Sequence, residues 1–166
     1  MKIPDDLLPG DHLIYGPTPV KKNVVDWLID EAICIKTWSR DACHIEIYTG
    51  HEISIASRNG KGVNQYAFRA SELTHVLRPY CMVNLAPAME WFNRTARGQK
   101  YDWKGLLCFT LAVKQGSRDK MFCSEFATRW DRYAGIRSFA VNFDADLIAP
   151  GSFLMSPAFN DLDITT

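Results

Sequence analysis

Long apolar runs are missing from this sequence: no stretch approaches the roughly 18–20 residues needed to cross a bilayer. Met1-Lys2-Ile3-Pro4-Asp5-Asp6 has no apolar core of the kind a signal peptide carries. The expected location is therefore cytoplasmic, unless another protein releases the chain or it travels inside a particle. Charge of one sign is equally lacking. Nineteen basic residues face nineteen acidic ones without a like-charge block, which removes the electrostatic footprint of a nucleic-acid binder. The five cysteines (34, 43, 81, 108 and 123) show no C-x-x-C spacing. That argues against a disulfide framework and a zinc knuckle, and it suits a reducing compartment. Internal repeats and low-complexity segments are absent too.

What is present reads as a globule. Hydrophobic residues make up 47% of the chain and aromatics 12%, enough for a packed core. At 166 residues the simplest organisation is one domain over 1–166. Alternation and turn residues predict strands at His12–Tyr15, 43–49, 53–58, 62–68 and 74–80, the second and third meeting at Gly50-His51. Helical spacing predicts a helix from Asn23 through Ala32, one from Pro87 to a stop at Gly98, and one from Trp103 to Val113. The expected class is α+β, an antiparallel sheet of about four to six strands packed against helices.

The most informative segment is Phe122-Cys123-Ser124-Glu125. From Cys123 the apolar residues Phe126, Ala127, Trp130 and Ala134 follow at helical spacing, and Gly135 ends the run. Cys123 thus sits in a first helical turn, where unpaired N–H groups and the positive end of the dipole favour thiolate over thiol. A thiolate becomes a useful nucleophile when a base faces it. Cys43-His44-Ile45-Glu46-Ile47-Tyr48 offers one: His44, Glu46 and Tyr48 share a strand face opposite the isoleucines. Packing the Cys123 helix on the His44 face would join thiol and imidazole. The alternatives are a buried small hydrophobe for Cys123 and a satisfied strand histidine for His44. Of the other histidines, His51 falls in a turn, His75 starts a strand, and His12, near the N-terminus, shows no partner. Cys43 and His44 do not suit a shared metal, because adjacent strand residues point apart.

Together these stretches resemble a known family. Pro9-Gly10-Asp11 before a strand, His44-Ile45-Glu46-Ile47-Tyr48, and Phe122-Cys123-Ser124-Glu125-Phe126 are similar to the motifs of circularly permuted NlpC-type papain-like hydrolases. Relatives of lecithin:retinol acyltransferase belong to the same superfamily. Histidine before cysteine is the permuted order, and Asp146 through Pro157 is similar to the family's closing segment. The resemblance implies a permuted papain-like fold and a covalent mechanism. Cys123 would attack a carbonyl, His44 would move the proton, and amides at Cys123 and Ser124 would stabilise the oxyanion. The implied activity is amide hydrolysis on a peptide or a peptidoglycan stem peptide, with no cofactor or metal. Acyl transfer or thioester and lipid hydrolysis by the same pair is the second reading. A non-catalytic binding domain that keeps the fold is the third. Oligomeric state does not follow from these features.

The residue that orients the imidazole is where the chain departs from the family. Many members carry a polar residue, often glutamate, on the next strand; here that strand reads Ser54-Ile55-Ala56-Ser57. With Gly50-His51 as the turn, Ser57 would lie opposite His44 on the same face. Glu46 lies on His44's own strand, roughly 6–7 Å along it. Glu46 is preferred because an anionic acceptor stabilises imidazolium better than a hydroxyl does; Ser57 is the reserve. Tyr48 is expected either to line the cleft or to pack in the core, and Glu125 to favour the free amides of the helix start.

Overall fold

A computed structural model describes residues 6–17, 41–110, 117 and 119–162 of the chain. The expected helix from Asn23 lies outside them. Six strands form one antiparallel sheet in the order β4-β3-β2-β1-β5-β8. They are β1 (His12–Tyr15), β2 (His44–Gly50), β3 (Ile53–Arg58), β4 (Gly62–Ala67), β5 (Leu73–Pro79) and β8 (Phe159–Leu162). Among the described residues three helices accompany it: α1 (Leu85–Trp91), α2 (Trp103–Thr110) and α3 (Cys123–Ala134). Two short strands, β6 (Lys100–Tyr101) and β7 (Lys120–Met121), pair in parallel and lead into α2 and α3. The fold is α+β. Among the described residues no helix is long and apolar enough to cross a membrane.

The middle of the sheet is buried on both faces, along β1 and the centres of β2 and β3, while the edge strands β4 and β8 carry exposed side chains. Alternation along β2 and β1 sends Ile45, Ile47 and Ile14 to one side, where Phe126, Ala127, Trp130 and Ala134 of α3 meet them. Leu13, Tyr15, Leu73 and Val76 form a second cluster on the other side, joined by Tyr48 and Phe68. So α3 packs on the isoleucine face, not on the face of Glu46 and Tyr48 as expected. Four apolar residues at helical spacing offer more burial than a polar strand face can return, and that decides the side.

The hairpin between β2 and β3 also turns one residue later than expected. His51 and Glu52 both have positive φ, 52° and 58°, the signature of a two-residue type I′ turn. Tyr48 pairs with Ser54 and Ile47 with Ile55. Moving the turn by one residue would by itself keep the faces, but the register also shifts between Tyr48 and Gly50, and this one extra residue on β2 exchanges the faces of β3. Ser54 and Arg58 now share the Glu46 face, and extending the ladder sets Arg58 opposite His44. Ser57 turns instead to the α3 side, where its hydroxyl donates to the Met121 carbonyl at 2.6 Å.

Other elements follow local chemistry. Gly135 takes the left-handed conformation at φ 78° and its N–H returns to Asp131, closing α3 as its sequence predicts. α1 starts two residues before Pro87 and passes at Phe92–Ala96 into a π-turn. The irregular tail holds β8, an unexpected edge strand that pairs Phe159 with Pro79. Cys43 is disulfide-bonded, whereas Cys81, Cys108 and Cys123 form no disulfide. One bridge is not a framework, but it withdraws the cysteine count as an argument for a reducing compartment.

Candidate active site

α3 begins without a side-chain cap: Phe122 occupies the cap position, and the first helical bond is Phe126 N–H to the Phe122 carbonyl at 3.0 Å. The amides of Cys123, Ser124 and Glu125 therefore precede the intrahelical ladder and point along the positive end of the dipole. The Cys123 side chain is buried in the cluster that includes Ile45, Ile47 and Phe126. It is not enclosed by hydrocarbon alone, because His44 meets it both as a hydrogen-bond partner and as a charge neighbour. His44 is the first residue of β2, so its ring reaches the helix mouth from the end of the strand.

The other side of that ring is fixed. Nε2 of His44 lies 2.9 Å from Oε1 of Glu46, which leaves Nδ1 as the nitrogen for the sulfur. Glu46 is fully buried and accepts from several donors at once. Arg58 holds both of its oxygens, Nε to Oε1 at 2.8 Å and Nη2 to Oε2 at 2.9 Å. Arg69 reaches Oε1 at 3.2 Å, and the Ser54 hydroxyl donates a short bond to Oε2. The arrangement is a fork-on-carboxylate clamp behind an imidazole.

Electrostatics follow from these contacts. Burial works against a charged His44, yet the Cys123 sulfur and the Glu46 carboxylate outweigh it and raise its pKa to about 9. Burial likewise opposes the Glu46 charge, but His44 and Arg58 more than compensate and hold it well below the usual carboxylate range. The imidazole thus faces an anion on one side and an ionisable thiol on the other. That is the environment in which a thiolate–imidazolium pair is stable.

The remaining expected site residues fall elsewhere. Ser57, facing α3, does not touch the imidazole; its bond to Met121 positions the segment that enters the helix. The Ser124 hydroxyl is buried and donates to the Ile148 carbonyl at 2.6 Å, so only its backbone amide remains for an oxyanion. Tyr48 packs edge-on against Phe68 with ring centroids 6.0 Å apart, in the cluster on the opposite face from Cys123. It packs, half-buried, against that cluster. Arg58, Arg69 and Ser54 were not anticipated. The signal for Arg58 was its place in β3, legible only once the register shift between Tyr48 and Gly50 was known.

Glu125 does not serve the helix start. Its carboxylate is buried beside Arg129, whose Nη2 lies 2.6 Å from Oε1. Burial, opposed by Arg129 and reinforced by Asp146 and Asp102, pushes its pKa up to about 8. A carboxyl whose folded pKa exceeds its unfolded value holds its proton more tightly when folded, so it destabilises the fold as pH rises from about 4.5 to about 8. Replacing Glu125 with Gln is expected to leave stability unchanged at pH 4.5 and raise it by roughly 1–3 kcal/mol at pH 8.5. Urea denaturation at the two pH values measures this; equal effects at both would refute it.

A cavity of about 290 Å³ beside the later turns of α3 is lined by Trp91, Arg129, Arg132, Tyr133, Asp144 and Ala145. Neither Cys123 nor His44 contributes to it. Among the described residues no group of His, Cys, Asp and Glu is arranged to hold a metal ion. Comparison with protein-family models and with curated proteins finds no match. The likeness to permuted papain-like hydrolases rests on the motifs themselves.

Proposed function

We propose that this chain is a cysteine hydrolase that cleaves an amide bond, in a peptide or a peptidoglycan stem peptide, through a thioester on Cys123. One observation carries the reading. His44 stands between the sulfur at the mouth of α3 and a buried, ionised Glu46. A histidine that served only packing would not need a clamped carboxylate behind it.

In the proposed cycle the Cys123 thiolate attacks the scissile carbonyl carbon, and the carbonyl oxygen becomes an oxyanion facing the amides at the start of α3. As the C–N bond breaks, imidazolium His44 gives its Nδ1 proton to the departing amine. The neutral imidazole then takes a proton from water, the hydroxide adds to the thioester, and the thiolate leaves as the acid product forms. Glu46 stays ionised throughout and holds Nε2–H, so Nδ1 keeps facing the sulfur.

Competitive alkylation tests the pair. Cys81 is exposed and Cys123 buried, so accessibility alone would favour Cys81. With iodoacetamide near pH 6, Cys123 is expected to label faster than Cys81 and Cys108 by about tenfold or more, an advantage that His44→Ala abolishes. Uniform slow labelling would leave a non-catalytic binding domain. Substrate class is read by incubating muropeptides, a dipeptide library and acyl thioesters with wild type and Cys123→Ala. Turnover of thioesters or lipid esters alone would reject amide hydrolysis in favour of the acyltransferase or thioesterase reading.

A further inference from the structure

The clamp behind Glu46 contains a residue that no catalytic scheme of two or three members needs. Arg58 sits at the end of β3 with its guanidinium 4.1 Å from the centre of the Tyr66 ring, and it spans both Glu46 oxygens. Its side chain is only 16% exposed, so solvent competes weakly for the fork. Arg69 contacts a single Glu46 oxygen and gives its other terminal nitrogen to Glu72 at 2.8 Å. Ser54 likewise contacts a single oxygen. Arg69 and Ser54 hold the two oxygens separately, through one guanidinium nitrogen and a rotatable hydroxyl, whereas Arg58 alone spans both with one rigid planar group that fixes the plane of the carboxylate.

We propose that Arg58 is a positioning residue of the site: by locking both carboxylate oxygens of Glu46 it presents Oε1 to Nε2 of His44 and thereby selects the tautomer whose free Nδ1 faces Cys123. The inference rests on the hydrolase reading for its purpose, though not for its measurement. Tyr66 supports the fork from the opposite side through its ring face, and its hydroxyl is anchored on the Gly62 carbonyl at 2.6 Å. Arg58 reaches the reacting atoms only through Glu46 and His44. It touches no substrate.

The test reads the ring nitrogens of His44 by long-range proton–nitrogen NMR in a Cys123→Ala background. Removing the thiol takes away one cause of the raised imidazole pKa, so the neutral ring and its tautomer can be observed at lower pH. With Arg58 intact, the neutral form is expected to carry its proton on Nε2. Arg58→Gln is expected to give a mixture of tautomers, and Arg58→Lys, which restores the charge without the fork, a smaller admixture. In the Cys123-containing protein, Arg58→Gln is expected to slow Cys123 alkylation about tenfold at pH 6. An unmixed Nε2–H tautomer in folded Arg58→Gln would overturn the proposal. Should that variant not fold, the same unmixed tautomer in Arg58→Lys would overturn it. A tautomer that responds to Arg58 beside an inert Cys123 would keep the positioning role and remove the hydrolase.

Discussion

Glu46→Gln is expected to lower kcat of the proposed amide hydrolysis by about 10³–10⁴-fold while leaving the sheet in place. An amide of nearly the same shape fills the buried position, so the packing loss is small. The charge loss is not. His44 then gives up one of the two anionic neighbours that raise its pKa to about 9, and the value falls toward the ordinary 6.5. The proposed hydrolysis needs a protonated imidazole to release the amine, so the alkaline limb of its pH–rate profile should move to lower pH. Arg58 and Arg69 are left facing a neutral amide, which cannot hold either guanidinium as tightly.

The same substitution has a stability signature with a definite sign. Glu46 has a depressed folded pKa, so its contribution is present above about pH 4.5 and declines as pH falls below that value. His44 has a raised one, so its contribution is complete below about 6.5 and disappears as pH rises through about 9. Stability from the network is therefore greatest between these limits, and Glu46→Gln should flatten the dependence. Denaturation midpoints from pH 4 to pH 10 test this; a wild-type curve already flat over that range would refute the ionised pair.

Asp131→Ala is expected to be the most destabilising single change, costing about 3–5 kcal/mol. His12 is fully buried, with Nε2 2.8 Å from Asp131 Oδ1 and Nδ1 3.0 Å from the Gly10 carbonyl. Phe159 lies against its ring at 4.6 Å between centroids. Removing the carboxylate strands a polar ring nitrogen among aromatic side chains. For a chain of this size the melting temperature should drop by roughly 6–20 °C. The double variant His12→Phe/Asp131→Leu should recover most of it, since replacing both partners leaves no orphan. A double variant as unstable as the single would show that geometry, not pairing, sets the cost. The pair ties β1 to the last turns of α3 and so fixes the helix that carries Cys123.

The site was only partly legible before the fold was known. Cys123 could be placed at a helix start because the apolar spacing and Gly135 lie within one short stretch. Glu46 could be preferred over Ser57 because same-strand geometry is local and an anion is the stronger acceptor. Ser57 and Arg58 could not be sorted, because their faces depend on the register shift between Tyr48 and Gly50, which no local pattern announces. His51-Glu52 carries none of the usual glycine or asparagine signal for a type I′ turn. His12 read as a histidine without a partner because its partner, Asp131, is 119 residues away. Glu125 read as a helix-start anion because its burial against Asp146 arises from a segment that passes over the helix only in three dimensions.

By itself the sequence determined the local periodicities: five of the six sheet strands, the start and stop of α3, the α+β class, and the two residues that could act as nucleophile and base. Those follow from contacts within a few residues, where side-chain period and turn chemistry suffice. Tertiary structure alone decided which face of the sheet α3 covers, that β8 closes the edge, and that Arg58 grips Glu46 while His12 finds Asp131. Each of those depends on burial and charge satisfied between distant segments, and no local pattern encodes the partner.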